Sequence, residues 1–183
     1  MEERKFMDTP KGFSDRIENW LAKIPGIRTY RDREHRRETD KQLREHLASH
    51  LRGSRDLLQR LILEVSQKGD WNLLAAMDRL SSRLQQMADT ILYASYGYGG
   101  IFDLEKIRED ELDRLYAFDL ALLGDIDGIQ ARMEEMGQRA SPEVFSQSMR
   151  QSESLLHALE KKFRNRDDFL ARSASSAEKR GNL

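Results

Sequence analysis

Residues 31–67 contain no proline, and one row of apolar side chains runs through them at helical spacing. The row consists of Leu43, Leu47, Leu51, Leu58, Leu61, Ile62 and Val65. Such a row gives a helix one narrow face to bury. The pattern therefore predicts a single long amphipathic helix, with Gly53 as its only weak point. The charged stretch 31–40 lacks an apolar row, so we expect it to project into solvent or to fray.

Similar rows predict three further long helices, over 71–94, over 104–137 and from Pro142 onward. The glycine-rich segment 96–100 separates the first two of these, because glycine costs about 1 kcal/mol in a helix interior. Ser141 followed by Pro142 is a strong helix start. Gly124 and Gly128 are the positions at which the helix over 104–137 is most open to a kink or a break.

A short amphipathic helix over 15–24, ended by Pro25 and Gly26, precedes the long helices. No segment shows the period of a strand. The predicted fold is all-α: four long antiparallel helices, as a bundle or as paired helical hairpins, with the short N-terminal helix. The predicted units are an N-terminal helix and linker over 1–27, a helical bundle over 28–172 and a disordered tail over 173–183.

The composition suits this architecture, since 38% of the residues are hydrophobic and 34% are charged. Globular domains are nearer to 45–50% apolar and about 25% charged. The chain has no cysteine, which excludes disulfides, thiolate metal sites and a cysteine nucleophile and favours an intracellular protein. No apolar run approaches the ~20 residues of a membrane span. We expect a cytoplasmic protein that is either soluble or peripheral at a membrane.

Charge is distributed unevenly along the chain. Residues 28–60 hold ten Lys and Arg against six Asp and Glu, a net charge of +4, whereas residues 103–135 hold four against eleven, a net charge of −7. Helices of opposite sign can pair within one chain or between subunits. Interleaved acidic residues and an overall charge of −1 argue against nucleic-acid binding.

Of the four histidines in the chain, two share a helix face and are candidate metal ligands. His46 and His50 are four residues apart, so both imidazoles project from the same side of the first long helix. Zinc sites normally use three or four protein ligands, and no His-Glu-x-x-His motif is present. The pair is a weak metal candidate, and the alternative is two histidines at the edge of the core. No cofactor is expected.

Two aromatic features are candidate contact surfaces. The loop that carries Tyr96, Tyr98 and Phe102 holds three glycines just before a helix start, yet it lacks the lysine and the preceding strand of a phosphate loop. We interpret it as a tight turn with exposed aromatic side chains. The second feature is the apolar side of the N-terminal helix, formed by Phe13, Ile17, Trp20, Leu21 and Ile24.

The N-terminal helix suits docking on a protein groove or on its own bundle at least as well as contact with lipid. Its polar side has a net charge of zero, whereas helices that lie on membranes usually carry a cationic face. A short amphipathic helix, a proline break and a long charged helical hairpin resemble the general plan of the phage-shock and ESCRT-III-like membrane-remodelling proteins. That resemblance, one of organisation and not of residue-level motifs, implies peripheral membrane association through 13–24.

One carboxylate is predicted to lie inside the bundle. Asp119 falls on the apolar side of its helix, between Leu115 and Leu122, so we expect an arginine or a helix N-terminus beside it, or a tilt to the edge. A single acid does not make an acid/base pair, and no Ser/His/Asp signature is found.

These patterns favour a non-enzymatic helical-bundle interaction or adaptor protein that self-associates, with a protein partner or a second copy. The alternative is a peripheral membrane protein that uses 13–24. The third hypothesis is a metal-binding or enzymatic bundle centred on His46 and His50.

Overall fold

The computed structural model describes residues 36–67, 71–94, 109–138 and 141–181. These residues form four α-helices and no strand: α1 Arg36–Ser66, α2 Trp71–Tyr93, α3 Glu109–Gly137 and α4 Pro142–Gly181. The all-α prediction is confirmed, and the helices begin and end close to the predicted positions. The predicted N-terminal helix, residues 31–35 of the first predicted long helix and residues 104–108 of the third lie outside the described residues.

The start of α4 shows the predicted cap. The N–H of Val144 donates to Ser141 Oγ at 3.4 Å, and the N–H of Phe145 donates to the Ser141 carbonyl at 2.9 Å. At its other end α4 continues to Gly181, through most of the segment 173–183 for which composition predicts disorder. That segment has no proline, and adding a residue to an existing helix is far easier than starting one. The helix ends at a glycine.

α3 is one continuous helix through Gly124 and Gly128, so neither glycine splits it. A Cβ atom placed at Gly124 would meet nothing within 4 Å, whereas one at Gly128 would lie 3.0 Å from Cδ1 of Leu155. Gly128 therefore marks a close approach of α3 to α4, where the leucine packs against bare backbone.

The four helices form two antiparallel hairpins stacked on each other. α1 packs along α2, and α3 packs along α4. Between the hairpins, α1 packs along α3 and α2 touches α4 over a shorter stretch. Within the described residues, no Cα atom of α1 lies within 8 Å of one in α4, so these two helices are diagonal. The basic and acidic segments identified by sequence thus lie side by side, mainly as α1 and α3.

The predicted apolar rows meet in one core that all four helices share. Its fully buried members include Leu43, Leu51, Leu58, Met77, Leu84, Ile91, Leu115, Leu122, Ile126, Ile129, Met133, Leu156 and Leu159. We call the end where α1 meets α2 and α3 meets α4 the turn end. The opposite end, where α1 and α3 begin, is the open end.

The two glycines of α3 form a matched pair for measuring the close approach to α4. Gly124→Ala should raise the free energy of unfolding by about 0.5–1 kcal/mol, because alanine is the better helix former and has room. Gly128→Ala should fall clearly short of that gain, because the added methyl group presses on Leu155. Urea denaturation of both variants measures the difference. Equal gains would contradict the close approach.

Candidate functional site

An arginine side chain lies in the core near the open end of the bundle. Arg166, on α4, exposes only 2% of its side chain to solvent. Its Nε donates to Asp119 Oδ1 of α3 at 2.6 Å, and its Nη2 donates to Asp40 Oδ1 of α1 at 2.5 Å. Both carboxylates are buried. One guanidinium therefore joins three helices through charge-assisted hydrogen bonds.

A second arginine extends this arrangement to the fourth helix. Arg44 lies one turn after Asp40 on α1, and its Nε donates to Asp40 Oδ2 at 2.8 Å. Its Nη1 donates to the backbone carbonyl of Leu92 at 3.0 Å, in the last turn of α2. We call Asp40, Arg44, Asp119 and Arg166 the buried charge network.

The electrostatics of Asp40 show how the network holds its charges. Burial by itself raises the pKa of the Asp40 carboxyl, because a charged group loses its hydration. The positive charges of Arg166 and Arg44, and their hydrogen bonds, outweigh burial and hold that pKa below its ordinary value. Asp40 is therefore ionised at neutral pH inside the bundle.

Asp167, next to Arg166 on α4, has the opposite balance. Its partial burial is the largest influence and raises the pKa of the Asp167 carboxyl to about 6. Arg166 and Arg44 act against that rise, whereas the negative charges of Asp40 and Asp168 add to it. A carboxylate beside other carboxylates is harder to ionise. Asp167 thus titrates close to neutral pH at the edge of the buried charge network.

The prediction for Asp119 is confirmed, because the buried carboxylate is paired with an arginine. The other members were not predicted. Asp40 belongs to the charged stretch that was expected to project into solvent or fray, and that expectation is wrong for Thr39 and Asp40, which are both buried. Arg166 falls on the apolar row of α4, between Phe163 and Leu170. A charged residue at that position is the sequence signal from which its burial could have been predicted.

The two candidate histidines do meet on α1. The ring centroids of His46 and His50 lie 4.3 Å apart, and both side chains are half-buried. Burial lowers the pKa of the His46 imidazole, the nearby His50 lowers it further, and Asp127 on α3 opposes both. Neutral imidazole is thereby favoured at position 46. Over the described ranges, no group of three or more His, Cys, Asp or Glu side chains is placed to hold a metal ion.

The two predicted aromatic surfaces belong to segments outside the described ranges. Phe13, Ile17, Trp20, Leu21 and Ile24 lie outside the described residues, as do Tyr96, Tyr98 and Phe102.

Large exposed apolar side chains concentrate at the turn end. Trp71 begins α2 and is 77% exposed, Leu63 lies in the last turns of α1 and is 66% exposed, and Val144 lies in the first turn of α4 and is 37% exposed. In the described part of the chain, one further large apolar side chain is exposed, and it is Tyr93 at the open end. The sequence did not indicate these three residues as a surface, because a single apolar residue near the end of a helix is common and does not by itself predict exposure.

A groove lies at the same end of the bundle, between the last turns of α1 and α3. It has a volume of about 430 Å³ and lies over Leu57, Leu61 and Met133. The exposed charged side chains of Arg60, Glu64 and Glu134 also line it. Apolar surface bordered by charged groups is typical of protein contact sites.

Comparison of the chain with protein-family profiles, with curated proteins and with solved structures gives no match in any of the three. Among the described helices, none is long and apolar enough to span a bilayer. The resemblance to membrane-remodelling proteins therefore stays a prediction.

The raised pKa of Asp167 predicts a pH-dependent stability. A carboxyl whose pKa is higher in the folded than in the unfolded state makes folding more favourable as pH falls through that value. Asp167→Asn should raise the free energy of unfolding by about 1 kcal/mol at pH 8, after allowing for solvent screening of this partly exposed group. The gain should shrink between pH 6 and pH 4 and vanish below.

Urea denaturation from pH 4 to pH 8 provides the measurement. Asp78→Asn is the control, because the Asp78 carboxyl is exposed on α2 and is not among the groups that shift the pKa of Asp167. A gain for Asp167→Asn that does not change with pH would contradict the assigned pKa.

Proposed function

We propose that this protein is a non-enzymatic interaction module that associates with a second copy of itself through the turn end. The observation that carries the proposal is the concentration of exposed apolar side chains at that end, with Trp71 foremost. Tryptophan is one of the residue types most enriched, with tyrosine and arginine, among the side chains that dominate binding energy at protein interfaces. A side chain this exposed contributes little to the core of its own bundle.

The groove supports a second copy as the occupant. A contact between identical chains around a two-fold axis places the same surface patch on both sides, so the patch must complement itself. The groove carries both signs of charge close together, with Arg60 on α1 and Glu134 on α3. Across a two-fold axis the arginine of each copy can face the glutamate of the other, over an apolar floor.

The location of the titrating groups supports a role without catalysis. The network carboxylates Asp40 and Asp119 are buried and engaged by arginines, and four helices close around them. Ion-pair networks with a structural role shift pKa values as active sites do. We assign Asp40 and Asp119 such a structural role.

Charge reversal at the groove tests the self-association. Analytical ultracentrifugation of the purified chain should show a dimer whose dissociation constant rises at least tenfold in Trp71→Lys, because the anchor is replaced by a charge. Arg60→Glu should also weaken the dimer. The double variant Arg60→Glu with Glu134→Arg should recover much of the loss, since opposite charges again face each other.

Tyr93→Lys is the matched control, because it places the same charge on an exposed aromatic position at the far end of the same helix. It should leave the dimer unchanged. A wild-type chain that stays monomeric up to high micromolar concentration would rule out self-association. A dimer equally weakened by Tyr93→Lys would move the contact away from the turn end.

A further inference from the structure

His46 and His50 form a side-chain pair that self-association at the turn end does not use. They lie one turn apart on α1, their rings are in contact and both are half-buried. Arg60, which lines the groove, follows His50 by ten residues, or about 15 Å along the helix. The pair therefore stands apart from the surface assigned to the second copy.

The distance between the two rings fits a shared metal ion. A metal bound to an imidazole nitrogen lies about 3.2 Å from the centroid of that ring, given metal–nitrogen bonds of about 2.0 Å. Two imidazoles at a right angle around one ion then have centroids about 4.5 Å apart, and at a tetrahedral angle about 5.2 Å apart. The observed separation is 4.3 Å, with the ring planes tilted by 46°. The pair thus matches a right-angled arrangement more closely than the tetrahedral arrangement that zinc prefers.

The surroundings of the pair favour a cation. Nδ1 of His50 is buried, and in the described part of the chain no group forms a hydrogen bond with it. A buried nitrogen without a partner is costly, and a bond to a metal ion would satisfy it. The carboxylate of Asp127, on α3, acts electrostatically on His46 and adds negative charge beside the pair. Because neither ring is fully buried, an ion can reach the pair from solvent.

From this geometry we propose that His46 and His50 form a copper site, in which one Cu²⁺ is held by one nitrogen of each imidazole. Over the described ranges, no third His, Cys, Asp or Glu side chain completes a larger group, so water supplies the other ligands. Zinc is normally held by three or four protein ligands. Cu²⁺ binds most tightly of the first-row divalent ions and accepts nitrogen and oxygen ligands in a square plane. A site of two imidazoles and water therefore selects Cu²⁺ over Zn²⁺.

Titration of the purified chain, free of any histidine tag, with Cu²⁺ at neutral pH tests the site. One ion should bind per chain with a micromolar dissociation constant. His46→Gln and His50→Gln should each raise that dissociation constant at least tenfold, because each removes one arm of the chelate. His157→Gln is the matched control, since it removes an exposed imidazole from α4, and it should leave the dissociation constant unchanged. Zn²⁺ should bind the wild-type chain at least tenfold more weakly than Cu²⁺.

Electron paramagnetic resonance of the Cu²⁺-loaded chain identifies the ligands independently of affinity. The spectrum should show two nitrogen ligands in the wild-type chain and one in either glutamine variant. Unchanged helical circular dichroism in the variants would show that the loss is not unfolding. A wild-type chain that binds no stoichiometric Cu²⁺, binding that neither substitution weakens, or tighter binding of Zn²⁺ than of Cu²⁺ would overturn the proposal. Two nitrogen ligands that persist in His46→Gln and His50→Gln would place the copper elsewhere.

Discussion

The arrangement of the two hairpins depends on one buried guanidinium. Arg166 of the second hairpin donates to Asp119 on the neighbouring helix of its own hairpin and to Asp40 on the first hairpin. α1 and α4 are diagonal, and a long arginine side chain can bridge them where their backbones do not meet. Arg44 donates both to Asp40 and to a backbone carbonyl in the last turn of α2. One connected set of hydrogen bonds therefore includes all four helices.

Such a network is costly to desolvate and demanding in geometry. Replacing a buried ion pair by well-packed apolar residues is often neutral or stabilising, whereas removing one partner typically costs 3–5 kcal/mol. The network is therefore best understood as a device for selecting one arrangement. Rows of leucine and methionine impose little directional requirement on how helices pair, whereas a guanidinium that hydrogen-bonds two carboxylates on two other helices imposes a strict one.

Much of the fold could be predicted because helical spacing and helix breakers are local features. Local sequence alone was enough to predict the apolar rows of α1, α2 and α3. The same holds for the start of α4 at Ser141 and Pro142. The network could be predicted only in part. Asp119 stood out because a carboxylate interrupted an apolar row, whereas Asp40 lies in a charged stretch and is buried against Arg166, which is 126 residues away in sequence. The exposure of Trp71 likewise depends on how the hairpins stack.

A double-mutant cycle between Asp40 and Arg166 tests most directly whether this contact joins the hairpins. Urea denaturation of Asp40→Asn, Arg166→Met and the double variant should give a coupling energy of about 2 kcal/mol, since the two side chains form a desolvated ion pair. The partly exposed pair Arg83 and Glu160, which links α2 to α4 at 2.9 Å, is the control cycle and should couple by under about 1 kcal/mol. Additive effects of the Asp40 and Arg166 substitutions would contradict the account.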